Sequence, residues 1–246
     1  MEVEIVLVCA VFVLAAFIQS SIGFGMALTA VPALLIFYDE RVVVPTITVI
    51  SLLNTGIVAW HARRHVKARI LVPMMIGTLA GLPVGLTLLT TFSGPGYKIA
   101  AAVIVILLAI PLLGGWRRPV KQSHFALIPV GFMSGALGAS LGIGGPPIVL
   151  FLTSQEEDKL VFRANLCAYF SLADILILLA FANKGLLGRE VGILSLVLLP
   201  AMLLGMWLGF KIATRIPHRI FQRIAMLLVL AGGCLLLATN LRTLFG

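Results

Sequence analysis

The sequence predicts an all-α fold: a polytopic membrane helix bundle of two inverted repeats, each a glycine-broken helical hairpin followed by three transmembrane helices. Three observations predict it. The 246-residue chain is 61% hydrophobic and only 11% charged, with a mean hydropathy of +1.14. Soluble domains carry roughly 25% charged residues, so a surface this poor in charge is solvated by lipid. The apolar residues fall into eight runs, of which two are overlong and interrupted by glycines. The basic residues between the runs become strongly one-sided once those two runs are folded back on themselves.

Taken in order, the first run covers residues 3–38. It follows Glu2 and Glu4, whereas a secretory signal begins with basic residues and ends at a small-residue cleavage site. It is therefore expected to be retained in the membrane. Its 36 residues correspond to roughly 54 Å of helix, too long for one crossing of ~30 Å of hydrocarbon. Ser-Ile-Gly-Phe-Gly at 21–25 supplies a break. Runs 42–60, 70–92 and 97–116 have ordinary spanning length. The fifth run, 125–153, holds 29 residues and is interrupted by Ser-Leu-Gly-Ile-Gly-Gly-Pro-Pro at 140–147. Glycine frees the backbone there, and Pro146 and Pro147 suit the first turn of a new helix. Runs 164–182, 191–210 and 220–239 complete the set.

Eight simple crossings would divide the 18 Lys and Arg almost evenly between the two sides. If the first and fifth runs return to their own sides, 13 of the 18 collect on one side, which the positive-inside rule makes the cytoplasm. Both termini then lie outside, and the basic clusters at 63–69, 117–121 and 211–223 lie inside. Residues 1–122 and 123–246 become oppositely oriented membrane repeats within one membrane domain. Weak internal matches accompany this: Ser21–Gly25 with Ser140–Gly144, and Gly81 and Gly85 with Gly205 and Gly209. Inverted repeats with broken helices near the midplane are a common transporter architecture.

Composition also excludes functions. The excess of 18 basic over 9 acidic residues lies in short loops, so it marks topology and not nucleic-acid binding. Cys9, Cys167 and Cys234 sit inside apolar runs without metal spacing, and His61, His65, His124 and His218 belong to basic loops. No metal site and no cofactor is expected. Neither a nucleotide-binding loop nor a nucleophile–base pair is present in the sequence, so the chain is not read as an enzyme.

The residues with chemistry are few. A helix that starts inside the membrane leaves unpaired N–H groups and a positive dipole end, which suit an oxyanion. Candidate substrate contacts are Ser20, Ser21, Gly23 and Gly25 in the first break, with Ser140, Gly142, Gly144 and Gly145 in the second. The alternative for such small residues is close helix packing. Glu4 at the terminal edge of the first run aside, Asp174 is the one acidic residue inside an apolar run; it is a candidate for proton or cation coupling, or else a protonated carboxyl bonded to a neighbouring carbonyl. Arg163 and Asn165 are candidates for drawing an anion to the inner mouth, against the alternative of an arginine snorkelling to the headgroups. Asn54, followed by Thr55, offers polar contacts or helix–helix glue.

Gln-Ser-Ser-Ile-Gly-Phe-Gly at 19–25 with Pro32 behind it, Gly-Ala-Ser-Leu-Gly-Ile-Gly-Gly-Pro-Pro at 138–147, and Phe-Arg-Ala-Asn-Leu at 162–166 followed by Asp174 together resemble the sulfite exporter TauE/SafE family, also called the toluene sulfonate uptake permease family. The resemblance covers essentially the whole chain. It implies a multi-pass inner-membrane permease whose partners are the lipid bilayer and a small sulfur-containing anion such as sulfite or an organosulfonate. The expected activity is export by alternating access, with a proton- or sodium-coupled importer of organic anions as the alternative.

Overall fold

The computed structural model describes residues 2–113, 124–153 and 159–212, with scattered positions between 227 and 240. Within them the first run forms α1 (Glu2–Ile22) and the short α2 (Met26–Leu34), and the fifth forms α6 (His124–Leu141) and the short α7 (Gly145–Thr153). The breaks fall at 23–25 and 142–144, where glycines were expected to place them. The remaining helices are α3 (Glu40–Ala62), α4 (Ala68–Thr91), α5 (Pro95–Leu113), α8 (Lys159–Asn183) and α9 (Arg189–Ile212). The basic loop at 117–121, the loop at 154–158 and most of the run at 220–239 lie outside the described residues.

Length separates the helices into two kinds. At 1.5 Å per residue, the nine residues of α2 or of α7 cover roughly 14 Å, half of a ~30 Å hydrocarbon layer. Four helices among the described residues are long and apolar enough to cross a membrane: α3 (with the 3₁₀ turn after it), α4, α8 and α9. Their outer faces carry exposed Val72, Leu172, Leu196 and Leu204, the surface that acyl chains cover in place of water. This is a multi-pass membrane protein. Trp60 and Trp207, near the C-terminal ends of α3 and α9, hold Arg63 and Lys211 over their rings at 4.3 and 4.6 Å, in the manner of aromatic residues at a membrane boundary.

Packing runs across the two halves of the chain. Helix α6 lies along α4 with its backbone almost touching: a Cβ on Gly81 would sit 2.1 Å from the Phe132 carbonyl oxygen, and one on Gly131 would sit 2.0 Å from that of Met74. In the same way α9 lies along α1, where a Cβ on Gly205 would be 2.2 Å from the Val13 oxygen. Contact registers rise together in both pairs, since Gly77, Gly81 and Gly85 meet Ile128, Phe132 and Ala136 in turn, and Gly205 and Gly209 meet Val13 and Phe17. Both pairs are therefore parallel. Glycine permits this because dispersion between helices in lipid grows with close approach. Helices α3 and α8 run the other way: Ser171 Oγ donates to Thr55 Oγ1 at 3.2 Å, while Asn165 Oδ1 accepts from the Lys67 amide beyond the end of α3 at 2.8 Å.

Candidate functional site

Each short helix begins in the protein interior, and the two beginnings share a cavity. The backbone turns into α2 through Gly25, at φ 110°, and leaves α6 through Gly142, at φ 71°. Both values lie in the left-handed region that favours glycine. Gly25, Gly142, Gly144 and Gly145 line the cavity together with Asp174. It offers about 50 Å³ to the centre of a water-sized sphere, several times the roughly 10–15 Å³ that one water needs by that measure. It is large enough for a small oxyanion.

The donors differ between the breaks. At the first, the Met26 amide is taken by Gln19 Oε1 at 3.1 Å, and the Gly23 amide returns to the Gln19 carbonyl at 2.7 Å. The amides of Ala27 and Leu28, in the first turn of α2, have no carbonyl four residues back within the helix; both residues border the cavity. At the second break the Gly142 amide returns to the Gly138 carbonyl at 2.9 Å, so it is not free for a ligand. Pro146 and Pro147 have no N–H at all. The Gly144 and Gly145 amides are what remains of the α7 terminus. Ser134 Oγ donates to the Gly144 carbonyl at 2.6 Å, which pins the break against α6.

Asp174 reaches the cavity from the middle of α8. Among the described residues its buried Oδ2 has no hydrogen-bond partner, while Ser51 of α3 faces the carboxyl as a donor. No Lys, Arg or His among the described residues lines the cavity, so Asp174 is the one ionisable group that they contribute to its wall.

The other expected contacts lie elsewhere. Ser20 and Asn54 are fully buried and bonded to each other, with Asn54 Nδ2 donating to Ser20 Oγ at 3.1 Å; they tie α1 to α3. Ser140 Oγ donates back to the Ala136 carbonyl at 2.7 Å, and its own carbonyl accepts from the Tyr97 hydroxyl. Asn165 accepts from the Lys67 amide, just before α4. At the first break the Arg163 side chain packs on Gly23, and the Ser21 hydroxyl faces Gly209. None of these seven borders the cavity. Gln19, Thr48, Ser51 and Ser134 do, and the sequence reading missed them, because an isolated polar residue in an apolar run does not announce which way it faces. Glu40 was also missed. It falls between the first two apolar runs, yet it is fully buried in the first turn of α3 with Oε1 accepting from the Gly94 amide at 2.9 Å.

With this geometry in place, comparison with known proteins decides the family. The model of the family described as "Sulfite exporter TauE/SafE" matches residues 8–236. The chain belongs to the sulfite exporter TauE/SafE family. A curated protein of Cupriavidus necator described as "Probable sulfite/organosulfonate exporter TauE" is 23% identical over 211 residues, covering 82% of this chain and 81% of that one. No solved structure matches the chain. TauE/SafE proteins are membrane transporters, and the two glycine breaks, the Arg163 segment and Asp174 all fall inside the matched region.

Proposed function

We propose that this chain exports a small sulfur oxyanion or organosulfonate by alternating access, binding it in the cavity where the two breaks meet. One observation carries the reading: the starts of two half-length helices from different halves of the chain line a single cavity. Helix starts present amide donors and positive dipole ends, and inside hydrocarbon such donors demand a partner. The name of the Cupriavidus relative supports the substrate class.

Residues 1–122 and 123–246 are proposed as inverted repeats. Eight simple crossings would send the second and sixth runs through the membrane in the same direction. The antiparallel course of α3 and α8 favours the folded-back alternative. The reciprocal pairings of α1 with α9 and of α4 with α6 are parallel in either course and support the division into two equivalent repeats. Membership of the family supports a cell (inner) membrane location, and the positive-inside rule then puts the basic loops in the cytoplasm.

Export of a monoanion needs no coupling ion. An inside-negative potential of about 100 mV supplies about 2.3 kcal/mol per charge, roughly fiftyfold in concentration. Asp174 supports a second reading, proton-coupled movement, because an oxyanion and a bare carboxylate in one small cavity repel each other. A proton held between them removes that repulsion and makes the transfer of a monoanion electroneutral, so that the pH gradient drives it and the potential does not. The test is flux of sulfite, sulfate, thiosulfate and simple sulfonates in proteoliposomes, with potential and pH gradient imposed separately. Sulfite or sulfonate flux that follows the potential supports uncoupled export; flux that follows only the pH gradient supports coupling. Absence of flux for every one of these anions rejects the proposed function.

A further inference from the structure

We infer that Arg163 and Ser21 form a second oxyanion site, across the first break from the cavity, at which substrate waits before passing Gly23. The inference rests on reading the cavity as an anion pocket and adds a stage to it. Arg163 belongs to the first turns of α8, where its half-buried side chain packs against Gly23 and Phe210. Its Cγ lies 3.3 Å from the position a Gly23 Cβ would occupy, and its guanidinium carbon stands 5.2 Å from the centroid of the Phe210 ring. Among the described residues, Nε and Nη2 are buried and have no hydrogen-bond partner. The Ser21 hydroxyl is buried without a partner as well, and it faces Gly209, the neighbour of Phe210, at 3.3 Å from that residue's Cβ position.

Three donor groups on two helices thus flank residues 209–210 and lack acceptors among the described residues. Burying a guanidinium without an acceptor is costly, and a planar fork of N–H groups suits the paired oxygens of an oxyanion. Charge favours the same end of the molecule. Arg63, Arg64 and Lys67 follow α3 there, Lys211 lies in the last turn of α9, and the His61 ring sits tilted against Phe210 at a centroid distance of 5.9 Å. Neither Arg163 nor Ser21 borders the cavity, which begins on the opposite side of the break at Phe24 and Gly25. The Gly23 backbone is the partition, and a side chain there would press on Arg163.

Binding to the purified full chain tests this without relying on flux, with thermal protection by sulfite, sulfate, thiosulfate and phosphate as the readout. Arg163→Gln is expected to raise the concentration giving half-maximal protection by about tenfold or more, as loss of a charge-assisted pair implies. Arg163→Lys, which keeps the charge and loses the fork, falls between; it stands in if the glutamine variant does not fold. Gly144→Leu, which pushes the second break away from Ser134 and stops flux, keeps the protection, and adding Arg163→Gln removes it. In proteoliposomes, Arg163→Gln raises the ratio of inner to outer half-saturating concentration. Equal protection of wild type and Arg163→Gln by every anion overturns the inner site while leaving the cavity reading to its own flux test. An Arg163 dependence seen only in phosphatidylglycerol vesicles, and not in pure phosphatidylcholine, assigns the guanidinium to a lipid headgroup and likewise overturns it.

Discussion

Asp174 and Gly144 are the two cavity residues whose replacement separates chemistry from space. Asparagine at 174 keeps the size and a donor and loses the ability to bind and release a proton. Asp174→Asn is expected to leave pH-independent sulfite flux where the wild type shows flux that changes with pH; an unchanged profile in proteoliposomes removes proton coupling through this residue. Gly144 has no room: a Cβ would lie 2.8 Å from the Ser134 carbonyl oxygen and 3.0 Å from its hydroxyl. Gly144→Leu is expected to reduce flux at least a hundredfold with normal membrane insertion, checked by flux against the amount of protein in purified membranes. Both positions were legible in the sequence, Asp174 because a charge in an apolar run is costly and Gly144 because it interrupts one. Gln19, Ser51 and Ser134 were not. Which way a polar side chain faces depends on the rotation of its helix about its own axis. In lipid, apolar residues cover the outside as well as the inside, so no stripe of hydrophobicity fixes that rotation. The same ambiguity covers Ser20 and Asn54, which lie outside the cavity wall and bond to each other.

Among the elements, the glycine seam between α4 and α6 is the tightest contact. A methyl group at Gly81 would need to displace the Phe132 backbone, whose oxygen lies 2.1 Å from the Cβ position. Overpacking of this kind costs about 1–3 kcal/mol. Gly81→Ala is therefore expected to lower the thermal unfolding midpoint in detergent, whereas Gly192→Ala, at a position open on all sides, leaves it within error. Equal midpoints for the two variants would show that the seam contributes nothing. The helix–break–helix elements were readable before any coordinates, since 36 apolar residues cannot fit one crossing and the glycines mark where the chain turns. Their partners were not readable. The offset that relates Gly81 to Gly205 says that both are glycine, and nothing about which backbone each one meets.

For the molecule as a whole, orientation is the prediction most open to a direct check. Single cysteines at 39–41 and at 64–66, on a background without Cys9, Cys167 and Cys234, should label from opposite faces. Cysteines at 118–120 and 156–158 should label from one and the same face, the side of 64–66, where eight simple crossings would separate them; opposite labelling of that second pair rejects the folded-back topology. The reciprocal pairing of helices has a further consequence for synthesis. The broken hairpin at the N-terminal end meets its long neighbour only when residues 189–212 have left the ribosome, so for most of translation its glycine-lined flank has no mate. Neither half, expressed alone, would own a finished scaffold. Co-expressed as two polypeptides cut between 113 and 124, they should recover each other, because what joins them is an exchange of clasped helices and not the intervening peptide.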